Sequence, residues 1–164
     1  GGENNVASGV YSSIAGGYGN YGIAPYGATL GGFGNWVEGA YSIIGGGFQN
    51  SAFGISAAIG GGDLNNATGE CSTIAGGEYN SVSSDFTTIS GGSGNNVTDA
   101  YGVVAGGQNN IAASAWASVV VIVLLLSRFH LFFLVENRSR LLFFLCVLRI
   151  EERKSQNTLF WHIT

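Results

Sequence analysis

A Gly-Gly pair followed three residues later by Asn returns every fifteen residues through the first 120 positions of this chain. It appears as Gly1-Gly2 with Asn5, then at Gly16-Gly17 with Asn20, Gly31-Gly32 with Asn35 and Gly46-Gly47 with Asn50. It continues at Gly61-Gly62 with Asn65, Gly76-Gly77 with Asn80, Gly91-Gly92 with Asn95 and Gly106-Gly107 with Asn110. A short period kept without insertion or deletion restricts the chain to a solenoid or roll, where each repeat buries its apolar face only against its neighbours.

Stacked on this period, the consensus is Gly-Gly-x-x-Asn-x-Ala/Val-x-Gly-x-Tyr-Ser-x-Ile-Ala. The paired glycines suit a tight turn, because positive φ carries no Cβ penalty there. A second small residue, at Gly9, Gly39, Gly54 and Gly69 and as Ser84 and Ser114 later, marks a second turn. Between the turns lie two β-prone stretches, Asn5-Val6-Ala7-Ser8 and Tyr11-Ser12-Ser13-Ile14, each too short for a helix. The expected fold is all-β: a parallel β-roll or β-solenoid of eight coils over residues 1–120. At a strand spacing of ~4.8 Å, eight coils make a rod of roughly 35–40 Å.

Strand alternation assigns the inside of the roll. The seventh position is small and apolar (Ala7, Gly22, Val37, Ala52, Ala67, Val82, Val97, Ala112) and the fourteenth is β-branched (Ile14, Thr29, Ile44, Ile59, Ile74, Ile89, Val104, Val119). The twelfth is small throughout, as at Ser12, Gly27 and Ser42. In the second coil Thr29 takes the core position and Leu30 follows it, which predicts a local one-residue shift of packing. Pro25 in the same coil falls at the second turn, where its missing N–H is tolerated.

Two rows stand out as candidate sites. The eleventh position carries Tyr11, Tyr26, Tyr41, Phe86, Tyr101 and Trp116, broken by Ser56 and Cys71. Placed in a strand and facing away from position fourteen, it is an interface patch or a column of rings stacked at half exposure. The invariant Asn row (Asn5, Asn20, Asn35, Asn50, Asn65, Asn80, Asn95, Asn110) reads as a structural amide ladder, or as a row touching ligand or glycan. The variable third, fourth, sixth, eighth and tenth positions are the expected carriers of specificity.

Charge narrows the partners. The chain has ten acidic and six basic residues, and the first basic side chain is Arg128. The repeats therefore carry only acids: Glu3, Glu38, Asp63, Glu70, Glu78, Asp85 and Asp99. Nothing in them neutralises phosphate, which argues against nucleic acid as a partner. Both histidines, His130 and His162, lie beyond the repeats, and Cys71 and Cys146 form no spacing motif. No catalytic, cofactor or metal site is expected, and no enzymatic activity.

The stretches Ala7-Ser8-Gly9-Val10-Tyr11-Ser12-Ser13-Ile14-Ala15-Gly16-Gly17 and Glu38-Gly39-Ala40-Tyr41-Ser42-Ile43-Ile44-Gly45-Gly46 resemble the head repeats of trimeric autotransporter adhesins, the YadA-like family. That family repeats a unit of the type Ser/Ala-x-Gly-x-Tyr-Ser-x-Ala-Ile-Gly, one residue shorter and commonly with a single turn glycine. The Gly-Gly…Asn variant also resembles repeats in phage tail-fibre and other surface-fibre proteins. The resemblance covers residues 1–120. It implies a left-handed roll, a homotrimer, a place on the bacterial cell surface and attachment to a host-surface protein or glycan. The fibre resemblance implies instead the shaft of a phage or virion fibre. An ice-binding solenoid, from a different functional class, needs a regular Thr ladder, which Thr29, Thr73, Thr87 and Thr88 do not supply.

Residues 121–164 are a different text. All 28 glycines precede them, and they run through Val121-Ile122-Val123-Leu124-Leu125-Leu126, Leu131-Phe132-Phe133-Leu134-Val135 and Leu141–Leu148. Arg128 and His130 sit near the middle of the first span long enough to cross a bilayer. This hydrophobic, basic tail has two readings: out-of-frame, non-native translation, or a membrane-associated helical hairpin. Any membrane contact is assigned to it alone. The start at the first position of a repeat predicts a piece cut from a longer array.

Overall fold

In the computed structural model, which describes residues 1–119, 122–126 and 129–133, the repeats form a β-solenoid of eight coils with two parallel sheets. One sheet runs from Val6–Ala7 through Tyr21–Gly22 and Trp36–Val37 to Ile111–Ala112, and the other from Ser13–Ile14 through Ala28–Thr29 and Ile43–Ile44 to Ser118–Val119. Each sheet has eight two-residue strands in consecutive order, and every partner is fifteen residues away, as in Val37↔Ala52 and Ile44↔Ile59. The strands are shorter than the four-residue stretches expected from the sequence. The lost residues belong to turns and to a third ladder, in which Glu3, Tyr18, Phe33, Phe48, Asp63, Glu78, Ser93 and Gln108 bridge in parallel one after another. Each coil thus pairs along three segments instead of two.

The core lies between the two sheets. Val37, Ala52, Ala67, Val82, Val97 and Ala112 from position seven meet Ile44, Ile59, Ile74, Ile89, Val104 and Val119 from position fourteen. Position twelve adjusts its size to them. A Cβ on Gly27 would come within 2.7 Å of Val37 Cγ1, and one on Gly102 within 2.5 Å of Val97 Cγ1. The shift predicted for the second coil does not occur: Ala28 and Thr29 pair in register with Ile43 and Ile44, Thr29 is buried and Leu30 is exposed. The backbone ladder to the flanking coils holds Thr29 in line, at the expense of a hydroxyl with no hydrogen-bond partner.

Backbone bonds between coils run both ways. In the third coil, the N–H groups of Phe33, Trp36, Glu38, Ile43 and Gly45 donate forward to Gly47, Asn50, Ala52, Ala57 and Ile59 carbonyls at 2.8–3.0 Å. Those of Gly34 and Tyr41 donate backward to the Tyr18 and Pro25 carbonyls, at 3.0 and 3.1 Å. Reversing the direction of an N–H within an otherwise extended coil needs a left-handed residue. The fourth position of every coil is one (φ 50–67°), whether glycine or Asn4, Gln49, Leu64, Tyr79 or Asn109.

The recurrent Gly-Gly and Asn are one device. The Asn35 amide Nδ2 donates to Asn20 Oδ1 in the preceding coil, to the Gly31 carbonyl in its own coil and to the Gly47 carbonyl in the next, each at 3.0 Å. Its Oδ1 accepts from both the backbone N–H and the Nδ2 of Asn50, at 3.0 and 3.1 Å. With two hydrogens on Nδ2, three acceptors are served by sharing one of them. The second glycine of each pair takes φ of 84–97°. At Gly47 a Cβ would lie 2.1 Å from the Gly62 carbonyl oxygen and 2.8 Å from the Asn50 amide nitrogen, so the amide sits where a side chain would begin.

The tail is described over two short segments, where it is strand and not helix. Ile122–Leu126 pairs antiparallel with Phe129–Phe133, Ile122 opposite Phe133 and Leu126 opposite Phe129. A helical hairpin is one of the two readings of the tail, and these ten residues are extended instead; β-branched and aromatic residues in them favour the extended state. Among the described residues no helix is long and apolar enough to cross a membrane. The remaining tail, including Leu141–Leu148, lies outside the described residues.

Two outcomes follow for stability. Gly47→Ala drives its Cβ into the backbone of Gly62 and the Asn50 side-chain amide, and lowers unfolding free energy by at least about 3 kcal/mol. Gly19→Ala, left-handed but facing open space, costs only about 1 kcal/mol; urea melts of the two variants compare them directly. Asn50→Ala strands the amide and carbonyl groups of three coils. It costs at least about 3 kcal/mol, more than Asn5→Ala in the exposed first coil, in the same melts.

Candidate binding surface

The structure moves the aromatic row of position eleven out of the strand. Residues 9–12 form a β-turn, closed in the first coil by the Ser12 N–H donating to the Gly9 carbonyl at 3.0 Å. Position eleven is the third residue of that turn and is left-handed in all eight coils, with φ of 52–65°. Tyr11, Tyr26, Tyr41, Phe86, Tyr101 and Trp116 all adopt it, as do Ser56 and Cys71. This is the type II arrangement, in which the third residue is ordinarily Gly or Asn and Pro is favoured at the second. Pro25 occupies that second place in its coil. From the second coil onward each left-handed N–H donates backward: Tyr26 to the Val10 carbonyl at 2.8 Å, Phe86 to Glu70 at 2.9 Å, Trp116 to Ala100 at 3.0 Å.

A side chain in this conformation costs roughly 1–2 kcal/mol relative to the right-handed one. Ring stacking offsets that cost. Tyr11, Tyr26 and Tyr41 stack with centroids 5.2 and 4.9 Å apart. Phe86, Tyr101 and Trp116 stack at 5.2 and 4.0 Å. All six are exposed along one edge of the rod.

Two further aromatic rows escaped the sequence reading, which treated their positions as merely variable. In the third position Tyr18, Phe33 and Phe48 stack at 5.2 Å intervals. In the sixth, Tyr21 stacks on Trp36 at 5.2 Å, and Trp36 meets Phe53 of the eighth position edge to face at 6.4 Å. All are exposed and confined to coils two to four. The signal was present: aromatic residues at fifteen-residue intervals over three successive copies. It was hidden because the later copies hold Asp63, Glu78, Ser93 and Gln108 in the same third-position ladder.

The Asn row lies elsewhere. The side chains of Asn20, Asn35, Asn50, Asn65, Asn80 and Asn95 are buried, and each joins the amide network described above. They and the aromatic rows share no surface. The acids of the repeats are exposed except Asp99, which is half-buried; Glu78 Oε1 accepts from Ser93 Oγ at 3.0 Å, and Asp85 Oδ1 from the Glu70 N–H at 2.8 Å. Among the described residues no group of His, Cys, Asp and Glu is placed to hold a metal ion. On the outward thirteenth position only Thr73 and Thr88 are neighbouring threonines, between Ala58 and Val103.

Neither a scan against protein-family models nor a search of curated proteins returns a match for this chain.

The balance of strain and stacking is measurable. Ser56→Gly relieves a left-handed side chain that has no ring to stack, and raises stability by up to about 1 kcal/mol. Tyr26→Gly relieves the same strain but removes two stacked faces at about 0.5–1.5 kcal/mol each, with the apolar area they cover. It lowers stability in the same urea melts.

Proposed function

We propose that residues 1–120 are the structural and binding module of a surface adhesin, presenting repeated side chains for multivalent attachment. One observation carries this reading: equivalent exposed side chains line up in register, coil after coil, on a scaffold held by buried residues. The Asn amides, the second glycine and positions seven, twelve and fourteen hold the coil. The third, sixth, eighth and eleventh positions face outward, and there the chain places aromatic residues. A row of weak contacts at fixed spacing gains affinity from effective concentration, without any single strong site.

The partner in this reading is a host-surface protein or glycan, met at the bacterial cell surface or on a virion. The aromatic rows also suit contact between copies in a homotrimer, because exposed apolar patches of this extent mark interaction surfaces. The resemblance to YadA-like head repeats supports the adhesin reading over a plain fibre shaft.

Probing arrays of extracellular-matrix proteins and glycans with the full chain, immobilised at high and low density on beads, tests the proposal. Retention on at least one ligand rises more than tenfold with density. It falls at least tenfold when Tyr18, Phe33 and Phe48 are replaced together by Ser. A chain that binds no array member, or binds equally after that replacement, overturns display by these rows. Sedimentation equilibrium of the same protein reports the trimer separately.

A further inference from the structure

The row at position eleven has a gap two rungs wide. Tyr41 ends one stack and Phe86 begins the next, and between them Ser56 and Cys71 keep the backbone conformation and lack the rings. At a rise of ~4.8 Å per coil the two ring planes stand about 14 Å apart. That leaves room for two flat rings at the spacing the row already uses.

Exposure shows that the inner ring faces are open. Tyr26, covered on both faces, is 49% exposed, whereas Tyr41 beside the gap is 62% exposed. Tyr101, also covered on both faces, is 41% exposed, against 50% for Phe86. Ser56 and Cys71 are exposed at the floor.

The rim is negative. Position ten places Glu70 and Asp85 directly before Cys71 and Phe86. The Asp85 carboxylate reaches back one coil, where its Oδ1 accepts from the Glu70 N–H at 2.8 Å, so it lies along the gap. No lysine or arginine occurs before Arg128 to neutralise it. A ring face attracts cations through its quadrupole, and this slot has one such face at each end with carboxylates alongside.

We propose that the gap between Tyr41 and Phe86 is a binding site for flat, cationic aromatic ligands, which stack in the two empty rungs with their charge beside Glu70 and Asp85. Neutral or anionic rings of the same shape gain the stacking and lose the electrostatic attraction. The two rungs set a capacity of two ring systems per chain. The slot is independent of display by the third-position row.

Titrating the full chain, with reductant present, with the fluorescent cation N-methylacridinium tests this, using anthracene-9-carboxylate as the anionic match. The cation binds with saturable quenching at up to two equivalents per chain, at least tenfold more tightly than the anion, and more weakly as salt rises. The double variant Ser56→Tyr/Cys71→Tyr completes the row with the residue found in coils one to three, and binding falls at least tenfold. Glu70→Gln with Asp85→Asn keeps the oxygen that accepts from Glu70 and weakens cation binding three- to tenfold. If the filled variant does not fold, Tyr41→Ser with Phe86→Ser removes both walls and gives the same tenfold loss. Unchanged affinity in a folded filled variant, equal affinity for the anion, or no saturable binding overturns the proposal.

Discussion

The side-chain amide of one asparagine per coil holds this structure in register. Asn35 bonds the coil before it, its own turn and the coil after it, and its oxygen accepts two donors from Asn50. The groups are buried, so each bond left unmade would expose a donor or acceptor to a medium that cannot solvate it. The glycine pair belongs to the same network, since its two carbonyls are the acceptors and its missing Cβ leaves space for the amide. Motif, turn and register are therefore one requirement repeated eight times, which is why the period tolerates no insertion.

This explains what could be read from the sequence. A fifteen-residue period with β-branched residues at fourteen and small ones at seven and twelve permits only a thin, stacked core, and the solenoid follows. Strand limits were less accessible. Tyr11-Ser12-Ser13-Ile14 looks like four alternating strand residues, but only Ser13–Ile14 pairs as strand, because Tyr11 is left-handed. Aromatic residues rarely take that conformation, so propensity pointed to a strand. Only the backward N–H bond to the neighbouring coil shows why the turn is placed there. The third ladder was missed for a similar reason: single-residue bridges leave no alternating pattern.

The candidate surface was legible in part. The eleventh row is visible as six aromatics at one position, and its stacking was among the readings the sequence left open. The rows through Phe33 and Trp36 became apparent only when the coils were superposed in space. Their confinement to coils two to four also shows that the rod is not uniform along its length. The scaffold is periodic while its surface is written in segments, aromatic near one end and acidic or polar in the same third-position ladder further on.

The two directions of donation described for the third coil have a mechanical consequence. Nearly all the bonds between coils lie parallel to the rod axis, and every seam is fastened by donors from both of its sides. A pull along the rod loads all the bonds of a seam together, with the amide ladder in the same line. A shearing motion of one coil over the next must break the forward and backward sets at once. The chain therefore behaves as a stiff strut that fails seam by seam, and its extension under force should show one step for each coil released.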